Sequence, residues 1–386
     1  MDFDLTQEQR MIYEYGSQVC KTYDRKYFLE YAEKKQPPKE LRDQIAADGF
    51  LGMMVPEAYG GAGLGMTEMA LFMEGLANEG IPLFELVVSH TMSLPLIAQH
   101  GSEEMKQRYL PDACSGKTSF CFAITEPGAG SNSVEISSIA KERNGKYYLS
   151  GQKVFISCAD TADYGLVVAR TTPHTEVKNR TDGFTLFVVD MKAKGLDKTL
   201  IPVSIGMTDT QWQLFFDDVE LTDDDIVGEK DKGFNILFDT LNPERIILSA
   251  LCCGLGRYAL NRAVEYASER VVFKGPIGAY QGLQHPLAAS KAEIEMAALM
   301  TLKAAYKFDQ GLPCGEEANI AKYFAAEASI KAVDSSLQCF GGNGFTKEYG
   351  IFDLYPIVRL FRTAPLNREM ILNYIGEKVM GLPRSY

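Results

Sequence analysis

The chain has 386 residues, 46% hydrophobic and 23% charged, an ordinary balance for a folded protein that excludes a disordered chain and is too long for one compact core. Its 39 Lys plus Arg stand against 51 Asp plus Glu, a formal net charge of −12, which argues against nucleic acid or an anionic membrane surface as the main partner. No apolar run reaches the roughly 18 residues of a membrane span, and eight scattered cysteines with no CxxC pair suit a reducing compartment. The start, Met1 to Leu5, shows neither a secretory pattern nor an Arg-rich transit pattern, so a cytoplasmic location is expected, although a processed mitochondrial form would begin similarly.

From Thr6 to about Lys117 apolar residues recur at three- and four-residue steps, as in Met11, Tyr15 and Val19 or Met69, Phe72, Met73 and Leu76, which predicts helices. A loop rich in Gly and Pro interrupts them between Gly49 and Gly65. A second helix-like stretch spans Phe84 to His100, with Pro95 placed to kink or restart it. From about Phe120 to Val227 the pattern changes to alternation and short apolar runs. Tyr147–Leu149, Val154–Ile156, Tyr164–Ala169, Phe184–Val189 and Trp212–Phe216 predict strands, seven or eight in all, in a barrel or sandwich. Helical periodicity returns from Gly233 to the end, broken at Gly275–Gly278 and Leu312–Gly315. The expectation is an α+β multidomain chain: an N-terminal helical domain (1–118), a central β-barrel domain (119–230) and a C-terminal helical bundle (231–386).

The most informative stretch is Phe120 to Ser133, where a strand-like run breaks into Thr125-Glu126-Pro127-Gly128-Ala129-Gly130-Ser131. The glycines let backbone approach a ligand closely, and Ser131 and Asn132 offer short polar groups; read alone, the segment is equally a strand followed by a polar turn. It is neither a Walker A loop nor a GxGxxG helix start. The histidines His90, His100, His174 and His285 have no paired ligand spacing, so no metal site is expected. The acidic run Asp223-Asp224-Asp225 reads as a solvated turn.

Ile124 to Ser131 resembles the flavin-binding signature of the acyl-CoA dehydrogenase family. The resemblance extends to Val55-Pro56-Glu57-Ala58-Tyr59-Gly60-Gly61, Arg270-Val271-Val272-Phe273 and Gln338-Cys339-Phe340-Gly341-Gly342-Asn343-Gly344, in the family's order. It implies FAD as cofactor, an acyl-CoA substrate, electron-transfer flavoprotein as electron acceptor and a homotetramer built as a dimer of dimers. It implies that Phe122, Ile124 and Thr125 contact the flavin, that Ser131 serves the cofactor and the CoA side, and that Phe155 covers the ring while Ser157 offers a donor. Arg270, Phe273 and Gln281 would meet the pyrophosphate region, Gln338, Gly341 and Gly342 the cofactor of a neighbouring subunit, and Asn367 the cofactor from the C-terminal segment. Lys274 stands where the family usually has Gly.

The departure lies near the C-terminus. Most of the family has its catalytic base in a Glu-Gly-Thr segment, whereas here Ala364 or Pro365 falls at that position; neither can take a proton, and Pro has no backbone N–H to offer. The isovaleryl-CoA and long-chain subset places the base before an Arg early in the C-terminal domain. Glu244 occupies that place in Leu241-Asn242-Pro243-Glu244-Arg245, with Asn242 and Arg245 as CoA-side contacts; the alternative is a carboxylate at a helix start. Glu85, in the apolar helix expected to line the acyl pocket, competes as the base, and Glu369 is expected outside the reacting groups. The sequence ending resembles alicyclic acyl-CoA dehydrogenases, so a branched or alicyclic acyl-CoA is the expected substrate. The same site run in reverse, as an enoyl-CoA reductase, and a non-catalytic family member are the alternatives.

Overall fold

The computed structural model describes residues 4–384. Seven helices come first: α1 (Gln7–Val19), α2 (Arg25–Lys34), α3 (Lys39–Ala47), α4 (Met66–Ala77), α5 (Phe84–Leu86), α6 (Leu94–His100) and α7 (Glu103–Cys114). Thr6 and Gln9 close α1 with a reciprocal pair of side-chain to backbone bonds, satisfying N–H groups that the helix cannot. The predicted Phe84–His100 helix is not uniform. Val87–Ser93 widens into a π-helix between α5 and α6, where the Ser93 hydroxyl donates to Val88 O and the Thr91 hydroxyl to Leu86 O, each five residues back. Pro95 then sits at the start of α6, which continues directly from the π-helix, so its missing N–H removes a bond to the preceding turn.

Eight strands follow: β1 (Phe120–Ala123), β2 (Ile139–Arg143), β3 (Lys146–Ser157), β4 (Tyr164–Arg170), β5 (Phe184–Asp190), β6 (Leu196–Ile201), β7 (Gln211–Leu221) and β8 (Ile226–Val227). They form one mixed sheet in the order β6-β7-β3-β2-β4-β5-β8, with β1 parallel to β4. Phe120 and Phe122 point into the large core shared with the helices, whereas Cys121 and Ala123 enter a second core on the other face of the sheet. That is the period of two expected of a strand covered on both sides. Tyr147–Leu149 and Val154–Ile156, expected as separate runs, belong to the single twelve-residue β3. Irregularities at Leu149/Gly151 and Lys153/Ile156 break its pairing with β7 and re-aim its side chains.

The C-terminal region opens with α8 (Gly233–Ile236) and the 32-residue α9 (Phe238–Glu269), followed by a small hairpin, β9 (Val271–Val272) with β10 (Gly275–Pro276). The helices α10 (Gln281–Asp309), α11 (Gly315–Phe340), α12 (Leu354–Phe361) and α13 (Arg368–Tyr374) follow, and α13 runs on into a second π-helix, Ile375–Val379. The axis of the bundle is α9, packed on α4, α10, α11 and the π-helix. Its approach to α4 depends on Gly254, where a Cβ would lie 2.5 Å from the Cβ of Ala77 and 2.6 Å from Glu74 O; no larger residue fits. Because the π-helix also packs on β1, α9 and the signature loop are held by a common neighbour.

Candidate active site

The signature loop leaves β1 with Phe122 buried and Ile124 and Thr125 half-buried. Glu126 and Ala129 exchange backbone bonds at 3.1 Å, closing a tight turn around Pro127 and Gly128. Beneath it lies a charge pair unassigned by sequence reasoning. Lys153 on β3, with no exposed side-chain surface, donates to Glu126 Oε1 at 2.9 Å and to Ile124 O at 3.0 Å. Glu126 also accepts the N–H and hydroxyl of Ser137 and the N–H of Ser138. Burial alone would push the Glu126 carboxyl up, but Lys153 and these donors override it and hold it down at about 2, so the pair remains charged. Arg170 donates to four carbonyls, those of Val134, Ile136, Arg180 and Asp182, and lies over the Phe184 ring, fixing the chain downstream of the loop.

The same tie carries β3 to the loop, through Val154 N–H on Thr125 O at 2.9 Å. Next to it Phe155 has a φ of 58° and is 59% exposed, an unfavourable backbone for a residue with a Cβ and an unfavourable setting for a phenyl ring. Ser157 accepts from Gln211 Nε2 at 2.8 Å, which leaves its hydroxyl proton available to a ligand. The Val154–Thr125 bond thus brings Ile124 and Thr125 to the strand that carries an exposed phenyl ring and a hydroxyl with its proton free, the kinds of group that a flavin ring would need.

The C-terminal segment meets the signature loop. Asn367 caps α13 by accepting from Met370 N–H, and its Nδ2 donates to Ser131 Oγ at 2.8 Å across 236 positions of sequence. Glu244 is buried on α9, one residue after Pro243, whose missing N–H removes a helical rung. Arg245 donates to Asn242 Oδ1 at 2.7 Å, while its buried Nε has no partner among the described residues. Burial raises the Glu244 carboxyl to about 7, against the opposing pull of Arg245 and Lys322. Lys322, on α11, was not singled out by the sequence; it donates to Leu366 O at 2.9 Å and to Phe361 O.

Glu85 has a different setting. It accepts from Arg42 Nε at 2.8 Å and lines a small cleft with Lys35, Cys158 and Asp209. Among the described residues Glu244 makes no salt bridge, whereas Glu85 has one. Glu369 is exposed and pairs with Arg368, and Pro365 is exposed in the loop that Lys322 holds. The remaining expected cofactor residues gather at the far end of α9. Arg270 caps that helix, Phe273 is 93% exposed in the hairpin, and Gln281 opens α10. Gln338, Gly341 and Gly342 end α11 beside them, joined through Tyr266, which stacks on Phe340 and accepts from Asn343 Nδ2. All six are solvent-exposed, a second group separate from the Phe155 side.

Three sequence profiles match in series: the acyl-CoA dehydrogenase N-terminal domain over residues 6–117, the middle domain over 121–219 and the C-terminal domain over 231–380. The chain belongs to the acyl-CoA dehydrogenase family. It is 46% identical over 366 residues, 94% of each chain, to acyl-CoA dehydrogenase FadE12 of Mycobacterium tuberculosis. It is 35% identical over 325 residues to a 3-(aryl)acrylate reductase of Clostridium sporogenes, covering 84% of this chain and 85% of that one. Butyryl-CoA dehydrogenase from Megasphaera elsdenii shares the fold at a TM-score of 0.93 and 28% identity, over 98% of this chain and all of that one. The similar solved structures include an FAD complex. The protein is an FAD-dependent oxidoreductase acting on acyl-CoA thioesters, and FAD is its cofactor.

Proposed function

We propose that Glu244 is the base of an α,β-dehydrogenation of a branched or alicyclic acyl-CoA. The supporting observation is a buried carboxyl raised to about 7 with no salt bridge among the described residues, in a chain whose 364 and 365 positions hold no acid. In the reaction the α C–H bond breaks, its proton passes to a Glu244 carboxylate oxygen and its electron pair forms the new α,β double bond. FAD supplies the acceptor that takes the β-hydrogen with its electrons. Arg245 and Asn242 hold the CoA side, Ser131 and Asn367 close the loop over it, and apolar neighbours exclude water from Glu244.

The electron acceptor in this reading is electron-transfer flavoprotein. A groove of about 640 Å³ on the N-terminal helices supports a protein partner: Met11 and the stacked rings of Tyr15 and Phe50 line it, with Glu8, Glu14 and Asp48 among its polar groups. Apolar surface edged by charge is typical of a contact site. Met11→Asp should slow electron delivery to the partner without changing flavin reduction by substrate.

The reverse reaction is the second reading, favoured by the relative that is a 3-(aryl)acrylate reductase. Anaerobic mixing with butyryl-, isovaleryl-, octanoyl- and cyclohexanecarboxyl-CoA, followed by flavin bleaching, tests both. Rapid bleaching by a branched or alicyclic ester supports dehydrogenation. Slow bleaching by all four, with fast reoxidation of the reduced enzyme by an arylacrylyl-CoA, supports reduction.

A further inference from the structure

Lys322 lies in α11 with 2% of its surface exposed. A buried ammonium group ordinarily has a carboxylate partner within salt-bridge distance, yet among the described residues Lys322 makes no salt bridge. Its donors go to two carbonyl oxygens, Phe361 O at the end of α12 and Leu366 O just before α13. These anchor both ends of the loop that carries Ala364 and Pro365 and that leads into Asn367, whose amide reaches Ser131.

Glu244 and Lys322 stand on helices packed against each other, α9 and α11, and Glu244 pulls on Lys322 more strongly than Glu327 does. On α9 the neighbours are Glu244, Arg245 and Cys252; Arg245 is itself bonded to Asn242 and faces Cys314 and Tyr374. On α11 the other acid is Glu327, which is engaged by Arg362 and Arg368 from the loop. Arg362 and Arg368 are thus balanced by Glu327 together with Glu369, and the acid left to balance Lys322 is Glu244.

We propose that Lys322 is a positioning residue of the site: its ammonium group clamps the 361–366 loop through two carbonyls and supplies a cation that favours the ionised form of Glu244 in a dry pocket. The helix and the loop are joined by one side chain, so the geometry of the pocket and the charge state of the base are coupled. Burial lowers Lys322 itself to about 8, against the pull of Cys252 and Glu244, so it still carries its charge at neutral pH. This inference rests on the reading of Glu244 as the base.

Lys322→Gln separates the two roles, because an amide still donates to carbonyls but carries no charge. In the FAD-loaded enzyme the pH midpoint of flavin reduction by acyl-CoA should rise by about 1 unit, with FAD content unchanged, and Lys322→Arg should leave the midpoint near that of the parent. An unmoved midpoint in Lys322→Gln overturns the proposal. If Lys322→Gln does not retain FAD, thermal unfolding at pH 7.5, where both groups are mostly charged, decides: the loss of Tm should be larger in the parent than in the Glu244→Gln background, and equal losses overturn the coupling. Flavin reduction by Glu244→Gln alone tests the base itself, so failure of that reading is distinguishable from failure of this one.

Discussion

Glu126 and Lys153 show how a single pair supports the site. Both are buried, both are charged, and each satisfies the other while also bonding to backbone on either side of the signature turn. Removing one partner strands the other, which typically costs about 3–5 kcal/mol. Lys153→Met should therefore lower the unfolding free energy by about that much in urea denaturation, and Lys153→Met with Glu126→Gln should recover most of it. The acid side follows from the depressed Glu126: its contribution is fully present above the ordinary 4.5 and is lost as pH falls toward about 2, so the parent should lose stability over that range and the double variant, which lacks this group, should become the more stable of the two. Glu244 has the opposite sign. Its raised carboxyl favours the protonated fold, so this group removes stability as pH rises from 4.5 to about 7. The sequence displayed Glu126 inside a recognisable motif but gave Lys153 only as a cation in a strand, where exposure is the usual outcome. Lys322 was less visible still, because its partners are carbonyl groups, which leave no mark on the residue pattern.

At the level of elements, β3 and α13 bring the pieces of the site together. The first carries Phe155 at a left-handed φ beside a break in register, a conformation that persists only where the surroundings determine it. Phe155→Gly should fit this backbone more easily yet bind FAD more weakly for want of the ring, so the expected result is equal or higher stability of the apoprotein with reduced FAD retention in titration. The second, α13, depends on Asn367 for its cap and for the bond to Ser131. Asn367→Ala should cost about 1 kcal/mol through the cap, whereas Ser131→Ala removes only the cross-link and should cost less; both are read by thermal unfolding. Helix, sheet and helix were legible from periodicity, and the turn glycines marked the joints of the C-terminal helices. The π-helix and the continuity of β3 were not, because both depend on long-range partners: Ser89, which accepts from Phe120 N–H, and the pairing of β3 with β7. The approach of Asn367 to Ser131 is likewise a tertiary contact with no local pattern.

Over the whole molecule, the expected cofactor residues fall into two groups, one around Phe155 and Asn367 and one at the far end of α9. The second group sits among exposed apolar side chains, Val271, Phe273 and Tyr280, continued along α10 by Met296, Leu299 and Tyr306. Surface of this kind suits contact with a partner, and we propose that one FAD is shared between the Phe155 side of one copy and the Gln338–Gly342 turn of another, which would explain both groups. Light scattering should give a dimer or tetramer, and Phe273→Glu should lower the assembly state and FAD retention together; a fully FAD-loaded monomer would argue against the shared site. Arg270→Ala should weaken FAD retention without altering assembly, through loss of a charge-assisted bond to phosphate. The central claim is that this assembly oxidises acyl-CoA with Glu244 as its base, and the most direct measurement is stopped-flow flavin reduction from pH 5.5 to 9 for the parent, Glu244→Gln and Glu85→Gln. The parent rate should rise with pH through about 7, Glu244→Gln should be slower by roughly 10² to 10⁴ with FAD and CoA-ester binding retained, and Glu85→Gln should remain close to the parent. Near-parental reduction by Glu244→Gln, with the loss appearing in Glu85→Gln instead, would contradict it.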